Sequence, residues 1–266
     1  MSVPAGDART LRDELRRVAA SDRLLVALDF DGTLAPLQDE PMRARMLPEA
    51  AAAVSALARA PRTCVAFVSG RTLHDLRIIA EHTEDSPILL AGSHGAEFWI
   101  PGEGERGPDD DADGRALRDE MRTAAESVIG AAEGAWIEPK TFGFAVHTRL
   151  TDAATAARVN DAVDALVAER APHWRRRTGR DIVEYALRDE GKDAAVAVLR
   201  EVAGADAVVF AGDDLTDEDA LEHLRRQDLG VLVGERDSAA RVRVAGIPEL
   251  AAALVVLAGE RAARPS

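Results

Sequence analysis

The chain is 266 residues long with 47% hydrophobic residues, enough to bury a full core in one large domain or in a domain carrying a smaller insertion. Its net charge of −14, with acids spread along the length, argues against wholesale attraction to nucleic acid or an anionic membrane, so an anionic ligand must be attracted locally. The single cysteine, Cys64, excludes a disulfide framework and, inside the apolar run TCVAFV, reads as a small buried hydrophobe.

The opening MSVPAGDARTLRDELRR lacks the apolar core of a secretory signal, and the apolar stretch LAAALVVLAG (250–259) is too short to cross a bilayer; the expected location is the cytoplasm. LLVALDF (24–30) reads as a buried strand, PEAAAAVSALARA (48–60) as a helix, TCVAFVSG (63–70) as a strand, TLHDLRIIAEH (72–82) as a helix and ILLAG (88–92) as a strand. This alternation predicts a doubly wound α/β core with a parallel sheet. It breaks at PGEGERGPDDDADG (101–114), whose glycine, proline and acid read as a linker. A helix near 115–131, strands AWIEPK (135–140) and GFAVHTRL (143–150), a helix near 152–170 and a strand RDIVEYAL (180–187) follow, the signature of a smaller α+β insertion. Within it, HWRRRTGR (173–180) reads as a solvated hairpin around Thr178-Gly179 rather than a binding patch. Core-like sequence resumes with GKDAAVAVLREVAG (191–204), the strand AVVFAGDD (207–214) and the helix DEDALEHLRR (217–226). The expected organisation is a core of residues 1–104 and 187–266 interrupted by an insertion of residues 105–186. No internal repeat of solenoid period is present.

Side chains at positions i and i+2 of a strand point to the same side, so Asp29 and Asp31 at the carboxyl end of the first strand face one crevice. Two bare carboxylates there would repel by roughly 4 kcal/mol at about 4 Å in an effective dielectric near 20. A cation removes that cost, and hard oxygen ligands favour Mg²⁺, which also draws in a phosphate dianion. Gly32 lets the backbone turn sharply and approach a ligand. Ser69, after the buried run of VAFVSGR, offers its hydroxyl and the following N–H, that of Gly70, to a phosphoryl oxygen. Lys192 opens a helix, an unfavourable place for a cation, and so calls for an anionic partner. Finally VVFAGDDLTDEDA supplies Asp213, Asp214 and Asp217; helix capping accounts for Asp217 but not for adjacent acids directly after an apolar strand.

In this order, D-x-D-G-T, a strand-end serine, a lysine and G-D-D-x-x-D resemble the haloacid-dehalogenase superfamily of aspartate-nucleophile phosphatases. LDFDGTLAPL, VSGR, GSHGAE, IEPK, VHTR and GDDLTDEDA together resemble the trehalose-6-phosphate phosphatases, over roughly residues 22–235. The resemblance implies a Rossmann-like core with an inserted α+β cap domain. It implies Asp29 as the nucleophile that forms an aspartyl-phosphate, and Asp31 as the acid that protonates the departing sugar oxygen and then activates water. It places Mg²⁺ on Asp29, the Asp31 backbone carbonyl and Asp213. Ser69 and Lys192 would hold the transferring phosphoryl group, with Asp214 and Asp217 orienting the lysine or metal waters. Arg71 and His94 on core loops, and Glu138, Lys140, Arg149 and Glu184 on the insertion, match the family's sugar-contacting positions, where alternating donors and acceptors hydrogen-bond a disaccharide. At the third motif the family commonly carries Asn-Lys-Gly, whereas this chain has Gly191-Lys192-Asp193. The lysine is kept, so phosphate binding is expected to be kept, while the acid beside it bears on the local field and on substrate identity.

Three functions fit these residues: a Mg²⁺-dependent trehalose-6-phosphate phosphatase, a related phosphatase for a trehalose-like pseudo-disaccharide phosphate, and a non-catalytic binding domain of the same fold. The joint presence of Asp29, Asp31, Lys192 and Asp213 argues against the third. The expected partner is a small sugar phosphate, with no nucleic acid and no membrane, and a monomer is compatible with the sequence.

Overall fold

The structure is a computed structural model that describes residues 5–107, 112–130, 132–179 and 181–264. The chain divides into two compact units, Met1–Gly107 with Glu190–Ser266, and Pro108–Asp189. In chain order the first unit begins with α1 (Ala5–Ala19), β1 (Leu24–Leu28), α2 (Pro48–Ala58), β2 (Thr63–Val68), α3 (Leu73–Ile79), β3 (Leu89–Gly92), β4 (Glu97–Ile100) and β5 (Gly104–Arg106). The second unit contributes α4 (Ala112–Ile129), β6 (Trp136–Lys140), β7 (Gly143–His147), α5 (Ala153–Arg170), β8 (Arg175–Gly179) and β9 (Ile182–Ala186). The first unit is completed by α6 (Lys192–Ala203), β10 (Ala207–Gly212), α7 (Glu218–Glu222), β11 (Leu229–Val233), β12 (Val242–Val244) and α8 (Ile247–Ala262).

In the first unit the eight strands lie in the order β12-β11-β10-β1-β2-β3-β4-β5. Pairing is parallel from β12 to β3, and β4 and β5 add to the edge antiparallel. β1 is buried at every position, as a central parallel strand must be. Its alternate side chains separate two apolar layers: Leu24, Val26, Leu28 and Phe30 pack with residues of α1, α2, α3 and α8, and Leu25 and Ala27 pack with residues of α6 and α7. Each fully buried Leu or Phe of this kind contributes about 1.5–3 kcal/mol through apolar surface removed from water. Because β10 lies on one side of β1 and β2 on the other, strand order reverses at β1, and the carboxyl ends of β1 and β10 border the crevice where ligands of such sheets bind.

In the second unit four antiparallel strands lie in the order β6-β7-β9-β8. Phe144, Val146, Val183 and Tyr185 form the apolar face that packs with Met121 and Ala125 of α4 and Val159, Val163 and Val167 of α5. The alternate residues of the same strands make the opposite face.

Two local expectations change. Within 101–114, read as linker, Gly104–Arg106 form β5 on β4, too short and glycine-containing to carry an alternating pattern; 108–111 lie outside the described residues. The hairpin of HWRRRTGR turns after Gly179 rather than around Thr178-Gly179, because Gly179 pairs with Ile182 and Asp181 takes the left-handed conformation at φ 55°. The three arginines are thereby strand residues, and Arg177 is buried. Among the described residues no helix is long and apolar enough to cross a membrane.

Candidate active site

β1 delivers two acids into the crevice because its next side chain is anchored the other way. Phe30 is fully buried and meets Phe67 edge-on at 5.7 Å, which leaves Asp29 and Asp31 on the opposite side of the backbone. The Asp29 N–H donates to the Ala211 carbonyl at 2.9 Å, extending the β1–β10 ladder by one residue. The chain then folds back: the N–H groups of Leu34 and Ala35 both donate to the Phe30 carbonyl at 2.9 Å. Gly32 sits in the left-handed region at φ 82°, and a Cβ there would lie 2.1 Å from Asp213 Oδ2, so only glycine lets Asp213 approach this turn.

β10 ends in the same crevice. Asp217, with no exposed surface, accepts the Asp213 and Asp214 N–H groups at 2.9 Å each through Oδ2, and the Lys192 ammonium at 2.7 Å through Oδ1. Lys192 Nζ also donates to Asp29 Oδ1 at 2.6 Å. The anionic partner demanded by a lysine at a helix N-terminus is thus a pair of buried carboxylates. Asp214 turns elsewhere, capping the Leu215 N–H at 2.6 Å.

Carboxylate oxygens of Asp29, Asp213 and Asp217 lie within 4.8 Å of one another, with one ammonium among them. At such spacing each pair of like charges repels by about 3–4 kcal/mol in an effective dielectric near 20. Burial pushes the Asp29 carboxyl well above its usual range; Lys192 opposes this, while Asp217 and Asp213 add to it. Asp213 is pushed to about 7, first by burial and then by Asp217. Burial works against the charge of Lys192, but Asp217 and Asp29 outweigh it and hold its pKa above the ordinary lysine value. Protein charges alone leave this cluster short of positive charge.

The end of β2 forms the adjoining wall. Ser69 is buried; its N–H donates to the Ala91 carbonyl at 2.9 Å, and its Oγ accepts the Arg71 N–H at 3.1 Å. Arg71, expected among the sugar contacts, forks onto Asp31: Nε donates to Oδ2 at 2.6 Å and Nη2 to Oδ1 at 2.7 Å. The His94 ring lies directly over Gly70, where a Cβ would come within 2.5 Å of Nε2. Ser93 and His94 are consecutive non-glycine residues at φ 48° and 57°, a conformation that costs of order 1–3 kcal/mol each. Three bonds hold them there: Ser93 N–H to the Arg71 carbonyl at 2.6 Å, Ser93 Oγ to Glu97 at 2.5 Å, and His94 N–H to the Ser69 carbonyl at 3.0 Å.

On the second unit, strand register sets Glu138, Ala145 and Glu184 opposite one another, with Arg177 beyond, on the face away from the apolar layer. Glu138 accepts Lys140 Nζ at 2.8 Å and meets His147 Nε2 at 2.7 Å. Burial pushes the Glu138 carboxyl up, but His147 and Lys140 more than offset it and hold it at about 2. His147 stacks flat on Trp136 at 4.5 Å, and the Arg149 guanidinium lies 5.2 Å from the Trp136 ring centre. Arg177 lies 3.8 Å from Glu184. His147 and Arg177 escaped the sequence reading. Period-two spacing was the available signal, since His147 follows Ala145 by two and Arg175 and Arg177 alternate on one side of β8.

A sequence model described as trehalose-phosphatase matches residues 27–246. The chain is 35% identical over 261 residues to an uncharacterized glycosyl hydrolase of Mycobacterium tuberculosis, covering 90% of this chain and 18% of that protein. It is 35% identical over 229 residues to a trehalose-phosphate phosphatase of Mycolicibacterium paratuberculosis, covering 83% of this chain and 57% of the relative. The chain therefore spans only part of these relatives. Among solved structures, the C-terminal domain of the Candida albicans trehalose-6-phosphate phosphatase superposes with a TM-score of 0.76 at 18% identity, covering 94% of this chain and 96% of that one, a likeness of fold.

Proposed function

Since the chain belongs to the trehalose-phosphatase family, we propose that it hydrolyses trehalose 6-phosphate to trehalose and inorganic phosphate. The observation that carries this reading is the cluster of buried Asp29 and Asp217, both bonded to Lys192, with half-buried Asp213 beside them at the carboxyl ends of β1 and β10. In the reading, a carboxylate oxygen of Asp29 attacks phosphorus, the bond from phosphorus to the sugar oxygen breaks, and Asp31 gives that oxygen a proton. Asp31 then takes a proton from water as the water oxygen attacks phosphorus, which breaks the bond to Asp29 and releases phosphate. Splitting the reaction avoids direct attack of water on a dianionic ester, among the slowest uncatalysed reactions. Lys192 and the Ser69 hydroxyl hold the transferring group, and Asp217 keeps Lys192 charged and in place.

The donor set fits a hard divalent cation such as Mg²⁺: all-oxygen, crowded, short of positive charge, and with Gly32 letting the Asp213 carboxylate approach the turn after β1. Asp29, Asp213 and the Asp31 carbonyl would hold it, and it would supply charge to the phosphate oxygens. Because Asp213 sits at about 7 in the metal-free chain, the cation must displace a proton below that pH. The folded metal-free chain binds this proton more tightly than the unfolded chain, so its contribution to stability is full near pH 4 and is lost as pH rises towards about 7. The rise in melting temperature on adding Mg²⁺ should therefore be larger at about pH 8 than at about pH 5. An equal rise at both would remove Asp213 from the metal site.

The fork of Arg71 occupies both Asp31 oxygens, so it holds the carboxylate in a fixed direction and must release one oxygen before that oxygen can carry a proton to the sugar. Arg71→Ala should slow hydrolysis of the sugar phosphate by about 10²-fold, in the range of a misdirected general acid, and hydrolysis of an activated aryl phosphate far less, because a good leaving group needs no proton. Equal losses on both would detach Arg71 from proton transfer.

The sugar would be read by Glu138, Lys140, Arg149 and Glu184, with Arg177 supporting Glu184, and by His94 on the core. The compartment proposed for this chemistry is the cytoplasm. The test is phosphate release across a panel of sugar phosphates, with Mg²⁺ and with chelator. Trehalose 6-phosphate should give the highest specificity constant, and chelation should abolish turnover. Comparable constants for simple hexose phosphates would overturn the substrate assignment.

A further inference from the structure

The backbone of Asp213 and Asp214 is gripped from both sides. Their N–H groups donate to Asp217 Oδ2. Their carbonyls point the other way and accept from Arg236: Nε donates to the Asp213 carbonyl at 2.9 Å and Nη2 to the Asp214 carbonyl at 2.5 Å. Arg236 lies on the loop between β11 and β12, remote in sequence from every motif of the site. That loop is itself tied down, because Arg236 Nη1 donates to the Asp237 carbonyl at 2.9 Å and lies 2.6 Å from Glu218 Oε1, whose Oε2 accepts the Ala239 N–H at 2.8 Å.

We propose that Arg236 is a positioning residue that presets Asp213 for a divalent cation by clamping two successive carbonyls of its loop. The chemistry of the contact favours this role. A guanidinium aimed at the Asp29, Asp213 and Asp217 carboxylates would compete with a cation for them, whereas this one takes the backbone carbonyls of Asp213 and Asp214 and pairs with Glu218, outside that cluster, and its planar fork spans both carbonyls at once. Glu218 offsets its charge, so the clamp adds little repulsion against a cation in the crevice. With the N–H side held by Asp217 and the carbonyl side by Arg236, the backbone at Asp213 has no free direction to swing, and its side chain stays beside Asp29. Groups that orient a metal ligand from behind typically change metal affinity 10–100-fold when removed.

The inference rests on the reading of Asp213 as a metal ligand, and the experiment separates the two. Mg²⁺ binding to the metal-free 266-residue chain is measured by calorimetry for wild type, Arg236→Ala, Arg236→Lys and Asp213→Asn, beside metal-free melting curves. Arg236→Ala should weaken Mg²⁺ binding about 10–100-fold, and Arg236→Lys, whose single ammonium cannot span both carbonyls, about tenfold. The Mg²⁺ concentration for half-maximal turnover should rise in parallel while kcat at saturating Mg²⁺ stays close to wild type. A lower melting temperature with Mg²⁺ affinity within about twofold of wild type would overturn the proposal and leave Arg236 a stabilising residue only. Should Arg236→Ala not fold, Arg236→Lys decides by the same criterion. Wild-type affinity in Asp213→Asn would instead overturn the metal reading itself.

Discussion

Asp29→Asn should reduce turnover of the preferred sugar phosphate to background, a loss of roughly 10⁵–10⁶-fold on the scale of removing a covalent nucleophile. The substitution is nearly isosteric, and the amide oxygen still accepts from Lys192 Nζ where Asp29 Oδ1 now sits at 2.6 Å. What disappears is the attacking charge together with one of three crowded carboxylates. Relief of that crowding lowers the demand for a cation, so Mg²⁺ binding should weaken along with turnover. Phosphate release measures the first effect and calorimetry the second, with circular dichroism verifying the fold. Turnover near the wild-type level would remove Asp29 from the chemistry, and unaltered Mg²⁺ binding would remove it from the metal site.

Lys192→Ala should cripple every substrate, whereas Glu138→Ala and Glu184→Ala should harm only those with a sugar to be read. Among the described residues Lys192 is the buried cation bonded to both Asp29 and Asp217, and its loss leaves both without a cationic partner. Removing one charge that stabilises the transferring group costs about 10²–10³-fold, and breaking a buried pair costs about 3–5 kcal/mol of stability. The specificity constant should fall by at least that factor on trehalose 6-phosphate and on an aryl phosphate alike, with a lower melting temperature. Glu138 and Glu184 lie on the strand face of the second unit and take no part in phosphoryl transfer in the proposed mechanism. A sugar hydroxyl left without its acceptor costs about 1–3 kcal/mol, or roughly 5- to 150-fold, and the aryl phosphate has no such hydroxyl to lose. Equal losses on both substrates in the glutamate variants would withdraw their role in reading the sugar.

Glu138 illustrates why the proposed selectivity would also be a matter of organisation. Its two oxygens are occupied by Lys140 and His147, so it is held ionised and fixed before any sugar arrives. His147 is in turn fixed by its stack on Trp136. Preorganisation of this kind reduces the ordering cost of binding.

Much of this was legible in the residues alone, wherever a local rule suffices. A buried apolar run ending in acids pointed to a cationic partner once the later motifs were set beside it, since period two places Asp29 and Asp31 together and two bare carboxylates repel. The alternation of apolar strands with helices marked the parallel core, and the shift to strand pairs marked the insertion. The partner of each group was not legible. Lys192 meets Asp29 across 163 residues and Asp217 across 25 because β10 and α6 are brought beside β1, an order of strands that no local pattern encodes. Arg71 carried the same chemistry whether it faced a sugar or Asp31; the turn after β2 aims it at Asp31. Arg236 had no signal at all, because its partners are backbone carbonyls, which every residue possesses and no sequence distinguishes. Residue types and periodicity determined which chemistry this chain can perform, while the sheet order and loop closures of the folded chain decided which charges meet, since pairing depends on distance in space and the sequence records distance only along the chain.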